Sequence, residues 1–352
     1  MAAAAAAAVG KNSERPMLAS FITGLAGLKL DPSEAAALRA ARPCGIILFA
    51  RNVAEPGQVR RLSEAAREAV GHDILVLIDQ EGGRVRRLRP PHWRELPCAA
   101  AYGQLYAADP MDACRAARLA AQLMASDLRA AGINTNCTPV LDVPAPGSHD
   151  IIGDRAYGAT ARQVADLGRA VAEGHMAGGV LPVVKHVPGH GRATADSHLE
   201  LPIVTSSREE LERTDFAAFR ACADMPAAMT AHVVYQAIDP KQPASTSACV
   251  IAEIVRGSIG FDGLLMSDDL GMQALSGSMA ERTGSVLAAG CDVALVCSGD
   301  LADTEAAAAV APPLSGAALD RYERARAVLR RQQSFDVAEA EVCLAQALRA
   351  QA

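Results

Sequence analysis

The sequence predicts a single-domain α/β protein built as a (β/α)8 barrel, and three observations carry that expectation. Short apolar, β-prone runs alternate with longer amphipathic stretches from residue 17 to about residue 330. Eight such runs occur, and strands buried on both faces specify a parallel sheet wrapped in helices. No Gly-x-Gly-x-x-Gly segment follows an early strand, which disfavours an open doubly wound sheet, the competing arrangement.

Taken in order, strands are expected at residues 17–23, 45–49, 74–79, 134–142, 181–186, 227–233, 263–268 and 293–297. Helices are expected at 56–70, 112–131, 161–177, 208–223 and 279–289. Asp31-Pro32 marks a further helix start at Ser33, and Ser206-Ser207 cap the one at Arg208. Gly71, Gly132 and Gly290 close others. Residues 319–332 form an amphipathic segment expected outside the barrel, and 334–352 extend it. Residues 1–16 read as a disordered leader, because no basic residue precedes the alanine run as a signal peptide requires. With no linker in between, residues 17–352 form one barrel domain with a C-terminal helical extension.

Composition narrows the partner. Of 352 residues 50% are hydrophobic and 21% charged, enough to bury a large core. A net charge of −6 and only 3% aromatic residues argue against a nucleic-acid backbone or a stacking platform. No apolar run reaches membrane-spanning length. Nine cysteines without a Cys-x-x-Cys pair read as reduced thiols, which places the expected location in the cytoplasm. The expected partner is a small, soluble molecule.

In a (β/α)8 barrel the site forms where the strands end. Five expected strands end in ionisable groups: Asp79, Asp142, Lys185-His186, His232 and Asp268-Asp269. Beyond Lys185-His186, Pro188, Gly189 and Gly191 break any helix, so the chain is expected to make a mobile excursion over the barrel mouth. Asp196 and His198 are two apart, so in extended backbone they share a side and can pair as a carboxylate-oriented general acid/base. A metal is not expected: helix breakers separate His186 from His190, and no two histidines are two apart. No other cofactor is implied. Asp268 should point into the mouth, where a carboxylate can act as nucleophile or stabilise an oxocarbenium ion. Asp269 alternates outward, as a cap or supporting group.

These residues resemble a known family. Lys185-His186-Val187-Pro188-Gly189-His190-Gly191 followed by Asp196-Ser197-His198 is similar to the KHFPGHG…DSH loop of family 3 glycoside hydrolases of the β-N-acetylglucosaminidase type. Asp79-Gln80-Glu81-Gly82-Gly83-Arg84-Val85, Thr230-Ala231-His232-Val233 and Ser267-Asp268-Asp269-Leu270 resemble three further motifs of that family in the same order. The resemblance implies Asp268 as nucleophile and His198 as acid/base assisted by Asp196. It also implies sugar contacts from Asp79, Arg87, Arg155, Lys185 and His186. Val187 stands where the family usually has Phe, and Gly271 where it has Ser. The implied activity is retaining removal of non-reducing terminal β-GlcNAc from cell-wall muropeptides, in peptidoglycan recycling. A phosphorylase forming a sugar 1-phosphate is the alternative within the same chemistry, and a non-catalytic sugar-binding barrel the alternative outside it.

Overall fold

The computed structural model of the chain describes residues 17–349, apart from Thr194, Asp196, His198 and Leu199. Its strands in chain order are β1 (Ala19–Gly24), β2 (Pro43–Leu48), β3 (Leu75–Ile78), β4 (Thr135–Asn136), β5 (Leu181–Pro182), β6 (Val184–Val187), β7 (Ile203–Val204), β8 (Ala227–Thr230), β9 (Val234–Tyr235), β10 (Leu264–Asp269) and β11 (Val293–Val296). Nine of them form one parallel sheet in the order β5-β4-β3-β2-β1-β11-β10-β8-β6. Its two ends, β5 and β6, are separated along the chain by Val183 alone, so they are two segments of one strand. The sheet therefore closes on itself as the expected (β/α)8 barrel, with β5 pairing to β4 and β6 to β8. Strands β7 and β9 pair separately above it.

Around the barrel lie α1 (Pro32–Ala41), α2 (Pro56–Val70), α3 (Ala99–Ala108), α4 (Pro110–Ala130), α5 (Ala161–Ala177), α6 (Arg208–Arg213), α7 (Asp215–Arg220), α8 (Met279–Ala289), α9 (Leu301–Ala308), α10 (Gly316–Ala327) and α11 (Val337–Arg349). Helix α1 starts as its sequence dictates: the Asp31 carboxylate accepts from the backbone N–H of Ser33 at 2.8 Å and Glu34 at 3.3 Å, with Pro32 in the first turn. Helix α8 opens with a reciprocal Ser278–Glu281 capping box. Helices α2, α5 and α8 fall on the expected bounds, and α10 and α11 form the outer segment and its extension. No helix among the described residues is long and apolar enough to cross a membrane.

Two expectations about elements need correction. The long strand expected at 134–142 is a two-residue ladder. Beyond it the contact continues through single bonds, with Cys137 N donating to Ile78 O at 2.9 Å, Val183 N to Thr138 O at 3.1 Å, Lys185 N to Pro139 O at 3.0 Å and Leu141 N to Lys185 O at 2.6 Å, while Pro139 has no N–H to return. The helix expected at 208–223 is broken at Thr214. There the Arg192 guanidinium reaches in from a distant loop to Thr214 Oγ1 at 3.0 Å, Asp215 at 2.6 Å and Glu210 at 2.6 Å. That contact is invisible to local periodicity.

Candidate active site

The strand ends surround a cavity of 250 Å3 at the mouth of the barrel. Each wall is built by identifiable local chemistry. After β3 the chain reads Asp79-Gln80-Glu81-Gly82-Gly83, and the two glycines take φ of +96° and +54° to turn it back. A Cβ on Gly82 would lie 2.3 Å from Pro97 O, so only glycine fits this turn. Gln80 staples the returning segment: its Oε1 accepts from Arg87 N at 2.8 Å and Leu88 N at 3.0 Å, while its Nε2 donates to Leu88 O at 2.9 Å. Asp79, Glu81 and Arg87 are thereby set on the cavity wall, with the Arg87 guanidinium 5.5 Å from the centre of the Phe49 ring.

These groups form one buried ionic cluster. Lys185 Nζ lies between Asp79 Oδ1 at 3.0 Å and Glu81 Oε1 at 2.8 Å. Arg155 holds Glu81 with two parallel bonds of 2.9 and 2.8 Å, and Arg87 Nη2 meets Asp79 Oδ2 at 3.1 Å. Burial alone would raise the Asp79 and Glu81 carboxyls. The Lys185 charge, with Arg87 beside Asp79 and Arg155 beside Glu81, more than reverses this, holding Asp79 far below the carboxylate range and Glu81 at about 2. Burial would lower Lys185, but the same two carboxylates raise it above its ordinary value, so it stays charged.

The facing side carries Asp268, which is 7% exposed at the end of β10. Its Oδ1 accepts the N–H of Asp269 at 2.8 Å. Burial pushes its carboxyl up, but His186, His232 and that N–H bring it below its ordinary value, so it is an anion at neutral pH. The Asp269 carboxylate instead accepts from Gly271 N at 2.9 Å and Cys297 N at 3.1 Å, bracing the turn after β10. The buried His232 donates from Nε2 to Asp269 O at 3.0 Å and accepts the Ser245 hydroxyl at 2.7 Å on Nδ1, which places it as a brace behind β10.

His186 also lines the cavity. Its Nδ1 meets Asp142 Oδ2 at 2.7 Å, and Asp142 Oδ1 accepts from the backbone N–H of His186 at 3.2 Å and of His190 at 2.6 Å. Burial would raise Asp142, yet His186 and His190 hold it at about 2.

Of the site residues expected from sequence, Asp79, Arg87, Arg155, Lys185, His186 and Asp268 all line this one cavity. Asp196 and His198, the expected acid/base pair, lie outside the described residues. The stem of the expected mobile excursion leading towards them is bonded at several points. Tyr235 Oη donates to Gly189 O, Arg192 is clamped on α6 and α7, and His149 N donates to Ala193 O at 2.8 Å. Gly191 packs so tightly that a Cβ there would lie 2.1 Å from Val143 O. His190, pushed down to about 4 by burial, reaches Ser197 Oγ from Nε2 at 3.3 Å. Glu81 was not singled out from sequence, and Asp142 was named there only as a strand-end group with no role. Glu81 sits two residues after Asp79 in an extended segment, the same spacing that pairs Asp196 with His198, and that signal could have found it.

Comparison with known proteins agrees with this construction. The glycosyl hydrolase family 3 N terminal domain matches residues 19–328. A β-hexosaminidase of Alkalilimnicola ehrlichii is 40% identical over 285 residues, spanning 80% of this chain and 81% of the relative. Another, of Pseudomonas aeruginosa, is 39% identical over 313 residues, spanning 88% and 91%. The crystal structure of NagZ from Neisseria gonorrhoeae superposes with a TM-score of 0.84 at 32% identity, covering 94% of this chain and 98% of that one. The gonococcal enzyme has also been solved in complex with N-trifluoroacetyl-D-glucosamine. By the family match, the identities and the shared barrel, the chain belongs to glycosyl hydrolase family 3, as a glycoside hydrolase of the β-N-acetylhexosaminidase, NagZ-like group.

Proposed function

We propose that the cavity binds a non-reducing terminal β-GlcNAc residue and releases it by a two-step retaining hydrolysis. The observation that carries this reading is the ionised Asp268 facing an ionic cluster across a cavity of 250 Å3. That volume suits one sugar ring rather than a chain running through, which fits an exo-acting enzyme. Asp79, Arg87, Arg155, Lys185 and His186 hold the sugar hydroxyls; likeness to a relative that takes N-trifluoroacetyl-D-glucosamine supports the acetamido sugar.

In the first step Asp268 attacks the anomeric carbon. Oδ1 accepts the Asp269 N–H, which holds the carboxylate in place for the attack. The bond from that carbon to the leaving oxygen breaks as His198 gives the oxygen its proton, producing a covalent glycosyl-enzyme. In the second step His198, oriented by Asp196, takes a proton from water as the water oxygen replaces Asp268 at the anomeric carbon. The substrate is a muropeptide, GlcNAc joined to 1,6-anhydro-N-acetylmuramic acid with or without its peptide, and the setting is cytoplasmic peptidoglycan recycling. Likeness to NagZ supports this finer assignment.

The test is Asp268→Asn with a chromogenic β-GlcNAc glycoside. Turnover should fall by at least roughly 1,000-fold, as expected for loss of a nucleophile, and unchanged turnover would remove Asp268 from the mechanism. Product analysis in phosphate buffer distinguishes hydrolysis from phosphorolysis: free GlcNAc is expected, and sugar 1-phosphate as the main product would overturn hydrolysis.

A further inference from the structure

We propose that Asp142 is a positioning residue for this reaction: it fixes the His186 ring with a proton on Nδ1, so that Nε2 is turned to the sugar. This rests on reading the cavity as the sugar site. Asp142 is completely buried, and its carboxylate oxygens accept three hydrogen bonds. An ionised carboxylate can only accept, so the 2.7 Å contact requires the hydrogen on His186 Nδ1. Nε2 has no partner among the described residues, and His186 is the cavity-lining member of the pair, so that nitrogen is left for the ligand.

The same carboxylate reaches further. Its Oδ1 takes the His190 N–H at 2.6 Å, so one buried group joins a sugar-facing ring to the anchored stem of the loop that continues to Asp196 and His198. His232 offers an internal contrast. Its Nε2 donates to a backbone carbonyl, so within one molecule the two rings turn opposite nitrogens to their fixed acceptors.

Asp142→Asn is a clean probe because two backbone N–H groups already point at Oδ1. They hold the amide oxygen there and put the NH2 where Oδ2 was, facing His186 Nδ1. Two donors cannot share that contact, so the His186 hydrogen moves to Nε2 while both backbone bonds survive.

The experiment is a long-range 15N–1H spectrum of histidine-labelled protein, with steady-state kinetics on a chromogenic β-GlcNAc glycoside. The wild type should show His186 protonated on Nδ1 and His232 on Nε2. In Asp142→Asn the His186 pattern should reverse, the His232 pattern should not, and kcat/KM should fall on the order of 10- to 100-fold for one mismatched polar contact. A wild-type His186 protonated on Nε2 and not on Nδ1 overturns the proposal, and this result needs no variant to fold. An unreversed pattern in folded Asp142→Asn overturns it too. A reversed pattern with unchanged kcat/KM overturns the part of Asp142 in the reaction. In that case Asp268→Asn separates the causes: if it is inactive only the Asp142 proposal fails, and if it is active the sugar-site reading fails as well.

Discussion

Replacing Glu81 by Gln removes one charge from the centre of the ionic cluster while keeping its shape. The Glu81 side chain is 7% exposed and holds both Arg155, at 12%, and Lys185, at 3%. Its carboxyl lies at about 2 against an ordinary 4.5, a depression that by linkage amounts to about 3 kcal/mol of native-state stability. Breaking a buried ion pair from one side costs about 3–5 kcal/mol. The two figures describe the same interaction and are not summed. Lys185 keeps Asp79 as a partner, which favours the lower figure. Glu81→Gln should therefore lose about 3 kcal/mol, a Tm fall of roughly 4 °C for a chain of 352 residues. Because the native carboxyl is depressed, the stabilisation is complete above pH 4.5 and is lost as pH falls towards 2. The gap between wild type and variant should close over that interval. With Arg155 unclamped, kcat/KM should drop on the order of 100-fold through misplaced sugar contacts. Calorimetry and a chromogenic assay read both effects. An unchanged Tm together with wild-type kcat/KM would refute the account of the cluster.

Two further outcomes follow from the same coordinates. Gly191→Ala should show its loss first in stability, because the new Cβ would meet Val143 backbone at 2.1 Å; a variant with wild-type Tm would show that the stem is not anchored as described. Stability should also decline well before the carboxylates titrate. His175 and His190 are held neutral by burial at about 4 against an ordinary 6.5, so their contribution is complete above pH 6.5 and lost as pH falls towards 4. Each should forfeit about 2 kcal/mol by pH 5, and a Tm that stays flat from pH 6.5 to 5 would contradict buried neutral rings.

Much of this architecture was legible because period and punctuation agree. Residues 56–70, 161–177 and 279–289 carry a helical apolar period with a proline, a threonine or a capping box at the start, and all three fold on those bounds. Helices α3 and α9 escaped because their alanine-rich sequences present little contrast between faces. The strand ends pointed to the site, since Asp79, Asp142, Lys185, His186, His232 and Asp268 each close an apolar run. Their division of labour was not legible. Whether an ionisable group faces the cavity, as Asp268 does, or braces it from behind, as His232 does, depends on partners such as Ser245 and the Asp269 carbonyl. The contacts of the loop stem were not legible for the same reason. Pro188, Gly189 and Gly191 mark a helix break locally, whereas the groups that bond the stem, Tyr235 at Gly189 and Asp215 at Arg192, come from distant elements.

The cross-linking of Asp79, Glu81, Arg87, Arg155 and Lys185 bears on stereochemical choice. Each charge already has a fixed partner, so the cluster cannot swing to follow a hydroxyl that points the wrong way. On the proposed reading, an epimer with one inverted hydroxyl must leave a desolvated charge without its hydrogen bond. Such a defect separates substrates far more sharply than a missing methyl group in an apolar pocket. Fidelity towards the sugar's configuration would thus be written into ion pairs that exist before the sugar arrives.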